Sequence, residues 1–387
     1  MDIVITPSPL SGSLRAIPSK SQAHRLLICA AFAKGNTTLL CPETNRDIEA
    51  TAACLRALGA DIRRTESGYA VIPVSQIPQR CTLPCGESGS TLRFMLPIVG
   101  ALGCEATFLL EGRLPQRPLS PLWEEMERMG CVLSRPSGDS LLCRGKLRSG
   151  TYEIAGNVSS QFITGLLLAF PLMEGQSQVR ILGKLESKPY VDMTKQVLSL
   201  FGSPPVSPGT VEVEGDWSNG AFFLAAKALG SDVNVTGLDP DSCQGDRAAA
   251  ALLMGMERPQ VIDATDIPDL VPILAVAAGG KHGAVFENIS RLRLKESDRV
   301  ASTMAMLKAL GVRSEADENT LRVFPGKFTG GTVDACRDHR IAMAAAIAAT
   351  VADGPVEILG AECVEKSYPR FWEEYKHLGG RYELLLR

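Results

Sequence analysis

Ser90–Leu102 reads STLRFMLPIVGAL. Two hydroxyls and one arginine open a run that is otherwise apolar on every side. A helix of that kind has to be buried on every side. The pattern recurs at Ser21 (SQAHRLLICAAFA), Ser160 (SQFITGLLLAFPL), Ser218 (SNGAFFLAAKAL), Pro268 (PDLVPILAVAA) and His339 (HRIAMAAAIAATVA). The six starts lie 69, 70, 58, 50 and 71 residues apart. A period of that length marks an array of supersecondary units.

A second, amphipathic helix alternates with the first. It ends in an apolar residue followed by Gly, the signature of a helix C-cap: Leu58-Gly59, Met129-Gly130, Phe201-Gly202, Met254-Gly255, Leu310-Gly311 and Leu378-Gly379. Strand-like runs fall between, at Thr37–Leu40, Ala106–Leu110, Val179–Leu182, Val233–Val235, Ala284–Phe286 and Val356–Leu359. Others follow the glycine, as in Asp61–Arg63 with Ala70–Ile72. The expected fold is therefore α/β (α+β). Six βαβαββ units, three to a domain, each wrap a buried helix. The third and fourth intervals are short. Little chain separates Gly202 from Val211–Glu214, or Gly255 from Val261-Ile262, so these two units are expected to lack most of a β-hairpin.

The chain has 387 residues, enough for about two to three domains at about 150 residues each. Lys plus Arg is 40 against 43 for Asp plus Glu, a net charge of −3, which argues against a general nucleic-acid binder. No apolar run reaches the ~18 residues of a membrane span; Ile341–Ala352 is Ala-rich and too short. The opening MDIVITPSPLSG has neither the basic nor the apolar stretch of a signal peptide. The eleven cysteines form no C-x-x-C, and the four histidines are far apart, so no metal site is expected. The cysteine usage fits a cytoplasmic location.

The chemistry should sit where the buried helices begin. A helix N-terminus has unused N–H groups and the positive end of the dipole, and anions bind there. One Ser or Asp at such a place is explained by capping alone. Lys20, Arg25, Arg93 and Arg340 are not, because a cation opposes the dipole; a bound anion would account for all four. No G-x-x-x-x-G-K-[ST] is present, so the anion is not expected to be a triphosphate in a P-loop. The densest charged stretch, Arg291–Arg299 (RLRLKESDR), alternates Arg and Leu like a strand entering a helix. Such a turn would aim Lys295, Glu296 and Arg299 at one pocket.

In order along the chain stand PSKSQAHR, GESGSTLR, QRP (116–118), GNVSSQF, ESKPY, VEGDWSN, QGDR, IPDLVP, RLKESDR, DHRIAMA and EKSYPR. Over essentially its whole length the chain resembles the EPSP synthase (3-phosphoshikimate 1-carboxyvinyltransferase) family of enolpyruvyl transferases. The resemblance implies two domains closing on a cleft, with the chain crossing twice: 1–19 plus 216–387 form one, 20–215 the other, and the first strand joins the C-terminal half. It implies transfer of the enolpyruvyl group of phosphoenolpyruvate to the 5-hydroxyl of shikimate 3-phosphate, with release of phosphate, in the shikimate pathway to chorismate and the aromatic amino acids. Matched by motif, Lys20, Ser21, Arg25, Ser159, Ser160, Gln161, Ser187, Tyr190, Asp269, Arg291 and Lys295 would meet shikimate 3-phosphate. Lys20, Gly89, Arg117, Gln161, Arg299, Arg340 and Lys366 would meet phosphoenolpyruvate. No metal, organic cofactor, nucleic acid or membrane is implied, and the chain is expected to be a monomer.

The reaction adds a proton to the methylene of phosphoenolpyruvate while a hydroxyl attacks the neighbouring carbon. It needs a general acid and a general base. Asp269 is the expected base and Glu296 the expected acid, with Lys20 assisting. Glu87 stands where Asn is common in the family, and Arg291 where some members have Asn; Gly89 is kept. Two rivals remain. A UDP-sugar enolpyruvyl transferase would carry a Cys in the loop 112–118, which has none. A shortened, non-catalytic phosphosugar-binding relative is motivated by the two lost hairpins.

Overall fold

The structure, a computed structural model, describes residues 1–385. Twelve helices alternate in the described chain as the periodicity predicts. The buried ones are α1 (Lys20–Phe32), α3 (Gly89–Leu102), α5 (Ser160–Ala169), α7 (Trp217–Ala228), α9 (Val271–Gly279) and α11 (His339–Ala349). The amphipathic ones are α2 (Arg46–Ala57), α4 (Leu122–Arg128), α6 (Lys188–Phe201), α8 (Ala249–Gly255), α10 (Arg299–Ala309) and α12 (Phe371–His377). Every residue of α11 and α9 is buried. In α2 the buried Ile48, Thr51, Ala52 and Leu55 follow the helical spacing of a single face. Each fully buried Leu or Ile contributes about 1.5–3 kcal/mol.

Local chemistry sets the helix ends. Ser19, Ser88, Ser159, Asp216 and Asp338 cap five of the six buried helices, each side chain accepting an N–H of the first turn. The sixth, α9, starts three residues after the Pro268 expected from sequence. Pro272 lies in its first turn, where a missing N–H costs nothing. Asp269 is thereby left outside the helix. Gly59 ends α2 at φ +105°, and a Cβ there would stand 2.8 Å from the Gln76 carbonyl oxygen. Gly255 departs from the expected pattern: it is the last residue of α8, and Met256 follows it as the cap. Without a hairpin to enter, the chain needs no left-handed residue there.

Four units carry four-stranded sheets of one design. In the fifth, Gln260–Asp263 runs parallel to Ala284–Glu287, which pairs antiparallel with Thr320–Val323 and through it with Ser314–Ala316. Phe286 faces Ile262 on one side and Leu321 on the other. The second unit repeats this with Arg80–Gly86, Glu105–Leu110, Ser140–Gly145 and Cys131–Ser134. The first uses Thr210–Glu212, Thr37–Leu40, Gly68–Ile72 and Asp61–Thr65. In the sixth, Gly331–Asp334 and Val356–Leu359 are completed by Asp2–Thr6 and Arg381–Leu385, so the first strand of the chain takes a hairpin place in the last unit. The third and fourth units stop at two parallel strands: Thr151–Ala155 with Gln178–Leu182, and Ser11–Arg15 with Asp232–Thr236. These are the two shortened units.

The chain forms two compact bodies. One, here the C-terminal body, holds 1–17 with Gly215 onward; the N-terminal body holds Pro18–Glu214. These breaks fall two residues and one residue before those expected from sequence. Each body has its own core. The stretch 291–295 is not a strand. Ser290–Leu294 is a 3-10 turn in which adjacent Arg291 and Leu292 are both buried, and both edges of Ala284–Glu287 are already paired.

Candidate active site

In the C-terminal body, the starts of α9, α10 and α11 and the residues just before them bring charged side chains together. Arg299, only 1% exposed, donates from Nη1 to Asp269 Oδ1 (2.8 Å), from Nη2 to Glu296 Oε2 (2.6 Å) and from Nε to Asp338 Oδ2 (2.9 Å). Arg340 Nη2 reaches Asp269 Oδ2 at 3.2 Å, and Lys295 Nζ reaches Oδ1 at 3.4 Å. Lys366 Nζ lies 4.0 Å from Glu296 Oε1. The expected base and the expected acid therefore share one guanidinium. Asp338 also caps α11 and accepts from Ser297 Oγ (3.0 Å), so one buried carboxylate fixes both the helix start and the arginine.

Burial would by itself raise the pKa of Asp269. Arg340, Lys295 and Arg299 outweigh it and hold the carboxyl well below its usual range. Burial pushes the Lys295 ammonium down, against the pull of Asp269. Arg299 is driven up, its three carboxylates overcoming desolvation. Asp246, 3% exposed at the start of the short turn before α8, is pushed up to about 7 by burial and by the charge of Asp269. Arg340 and the Ser218 hydroxyl pull it the other way and are outweighed. Arg291 is turned aside, donating from Nη2 to the Thr265 carbonyl (2.9 Å); it meets this cluster as a like charge acting on Lys295.

In the N-terminal body, α1, α3, α5 and α6 present their first turns. Lys20 Nζ lies 3.0 Å from Asp47 Oδ2, a carboxylate in the first turn of α2, where the dipole favours it. Arg25 is buried and ties three helices. Its Nε donates to Thr194 Oγ1 (2.8 Å), Nη1 to the Ser21 carbonyl (2.5 Å), and Nη2 to Thr164 Oγ1 (3.3 Å) and the Tyr190 carbonyl (3.0 Å). Gln161 donates to Ser90 Oγ (2.9 Å) and accepts from Arg93 Nη1 (2.7 Å). Arg93 also holds the Pro118 carbonyl (3.2 Å), beside Arg117. A Cβ on Gly89 would come within 2.6 Å of Arg117 Nη1, so glycine is what lets that guanidinium lie on the α3 N-terminus. Ser159 caps α5 and Ser160 begins it. Ser187 precedes α6 at φ +55°, a left-handed conformation costing about 1 kcal/mol or more in a non-glycine residue.

Sequence reasoning missed Asp47, Asp246 and Asp338 as site residues; Arg93 stands among the four cations that a bound anion would explain, without an assigned substrate. Asp338 stood inside a quoted motif but read as a cap. Asp47 carries no local signal, since an acidic residue early in a helix is ordinary. Asp246, in QGDR, is found only by its burial. The two lost hairpins would follow the far ends of α6 and α8, and the fourteen residues of α6 put its end about 20 Å from Ser187.

In each body charged side chains gather at helix N-termini, an arrangement suited to anions, on a repeated α/β fold. The model of the EPSP synthase (3-phosphoshikimate 1-carboxyvinyltransferase) family matches residues 4–375, and the chain belongs to that family of enolpyruvyl transferase enzymes. A 3-phosphoshikimate 1-carboxyvinyltransferase from Clostridium kluyveri is 39% identical, covering 98% of this chain and 97% of that protein. One from Clostridioides difficile is 36% identical over 97% of each. The alignment with the former runs over 415 positions, more than the 387 residues here, so the relative carries residues this chain lacks. Among solved structures, EPSP synthase from Acinetobacter baumannii superposes with a TM-score of 0.81 at 22% identity over the whole of both chains. The enolpyruvyl transferase NikO from Streptomyces tendae gives 0.77 at 18% identity, covering 99% of this chain and 98% of that one. No helix among the described residues is long and apolar enough to cross a membrane.

Proposed function

We propose that the enzyme transfers the enolpyruvyl group of phosphoenolpyruvate to the 5-hydroxyl of shikimate 3-phosphate, releasing phosphate. The observation that carries this is the Asp269–Arg299–Glu296 arrangement, two carboxylates on one buried guanidinium with Arg340, Lys295 and Lys366 around them. Asp269 takes the hydroxyl proton. In the resting protein its cations keep it ionised but weakly basic. Anionic phosphoenolpyruvate would draw Arg299 and Arg340 toward itself, and Asp269 would then become a stronger base when the substrate is in place. Glu296 delivers a proton to the methylene, giving a tetrahedral adduct with a methyl group, and a proton leaves that methyl as phosphate departs, so that the enolpyruvyl double bond re-forms. Arg299, Arg340 and Lys366 stabilise the charge on the departing phosphate.

In the N-terminal body we assign Lys20, Ser21, Arg25, Ser159, Ser160, Gln161, Ser187 and Tyr190 to shikimate 3-phosphate, and Lys20, Gly89, Arg117 and Gln161 to phosphoenolpyruvate. In the C-terminal body Asp269, Arg291 and Lys295 serve the first substrate, and Arg299, Arg340 and Lys366 the second. Arg25 acts by holding the Ser21 and Tyr190 carbonyls as much as by its charge. We assign the protein to the cytoplasm, where its eleven free cysteines would stay reduced, and to a monomeric state. The proton step has a direct test. In D2O with both substrates, the wild type is expected to place deuterium on the methylene carbon. Glu296→Gln is expected to cut that incorporation at least a hundredfold, the scale of general acid catalysis. Equal incorporation by both would remove Glu296 from the role.

A further inference from the structure

We propose that His24 is a positioning residue: its Nδ1–H starts a one-way hydrogen-bond chain through Thr51 and Thr91 to Ser88, fixing the first turns of α1, α2 and α3 around Lys20 and Gly89. His24 lies one turn after Lys20 on the same face of α1. Its Nδ1 is 2.7 Å from Thr51 Oγ1, which is 2.7 Å from Thr91 Oγ1. Thr91 Oγ1 donates to Ser88 Oγ at 2.7 Å. Ser88 caps α3 immediately before Gly89, and Thr91 also lies 3.4 Å from the carbonyl of Asp47, the partner of Lys20. All four side chains are buried.

The direction follows from counting hydrogens. The hydrogen bonds that Thr91 Oγ1 makes to the Ser88 oxygen and to the Asp47 carbonyl both use its one hydroxyl hydrogen, so toward Thr51 it accepts. Thr51 must therefore donate to Thr91, and its oxygen must accept from His24. The imidazole is then the Nδ1–H tautomer, with Nε2 a bare, buried acceptor, and Nε2 indeed has no partner. The ring packs nearly perpendicular to Phe94, with centroids 6.1 Å apart. Burial accordingly holds the pKa down at about 3, with Lys20 and Arg25 opposing protonation and Asp47 favouring it, so the chain keeps one direction at neutral pH. Neither the family residues nor the reaction chemistry above calls on His24.

The tautomer is read directly by 15N NMR of the ligand-free protein: a protonated Nδ1 and a bare Nε2 are expected, and an Nε2–H tautomer overturns the proposal. The kinetic arm rests on the assignment of phosphoenolpyruvate to the Gly89 loop. His24→Phe keeps an aromatic ring but removes the donor. It is expected to raise the KM for phosphoenolpyruvate, assigned to both Lys20 and Gly89, about five- to tenfold, the worth of one buried hydrogen bond, and to raise the KM for shikimate 3-phosphate, assigned to Lys20 but not Gly89, by less. His24→Asn, whose amide nitrogen sits near the place of Nδ1, is expected to restore it. Thr51→Val, which keeps the side-chain shape, gives the same test if the Phe variant does not fold. Equal changes in both KM values, or no rescue by Asn, overturn the proposal. A wild type that neither binds nor turns over phosphoenolpyruvate sinks the functional assignment instead and leaves the tautomer to decide.

Discussion

Asp246 and Asp269 are both buried carboxyls in the C-terminal body, and their environments push them in opposite directions. Asp269 has cations within 3.4 Å, whereas for Asp246 burial and the charge of Asp269 outweigh Arg340 and the Ser218 hydroxyl. A carboxyl with its folded pKa depressed stabilises the fold above its unfolded value, and that contribution is lost as pH falls through the folded value. For Asp269 the loss lies below the ordinary carboxylate range. A carboxyl raised to about 7 does the reverse. It favours the fold below its unfolded value near 3.8, and the benefit drains away as pH rises toward 7. Asp246→Asn removes that drain. The variant is therefore expected to gain stability over the wild type as pH rises from 4 to 8, read from denaturant midpoints at each pH. A difference independent of pH would mean that Asp246 does not titrate in this range.

At the scale of elements, the two-stranded sheets leave edges that the four-stranded ones do not. In Gln178–Leu182 the N–H of Gln178 and the carbonyl of Leu182 turn toward the parallel partner. Alternation then turns the backbone of Val179 and Ile181 to the open edge. In the complete second unit the equivalent residues are Ala106 and Phe108, which face Ser140–Gly145. Amides without a ladder partner exchange through small local fluctuations. Val179 and Ile181 are expected to exchange with deuterium well before Ala106 and Phe108; matching protection would show that something covers the edge. Such an edge is also where chains pair by mistake. Arg180, ion-paired with Glu153 beside it, is the kind of charge that discourages this.

Across the whole molecule, the six-unit plan was legible because each buried helix is apolar all round, and interval lengths alone marked the two short units. Capping chemistry, read as Ser and Asp at helix starts, was local and so was visible. What the sequence concealed depends on contacts far along the chain. Asp47 meets Lys20, Arg93 meets Gln161 across 68 residues, and Asp338 meets Arg299 across 39. The Arg–Leu alternation at 291–295 misled because a period of two is also what a 3-10 turn with one buried arginine and one buried leucine can present. The residues proposed to meet the two substrates belong to two bodies, each with its own core, and we propose that all of them serve one reaction. Phosphate release from phosphoenolpyruvate, measured with and without shikimate 3-phosphate in the wild type and in Asp269→Ala, tests this most directly. Release is expected to require both substrates and to fall by at least a hundredfold in the variant. A folded wild type that binds shikimate 3-phosphate yet releases no phosphate would contradict it.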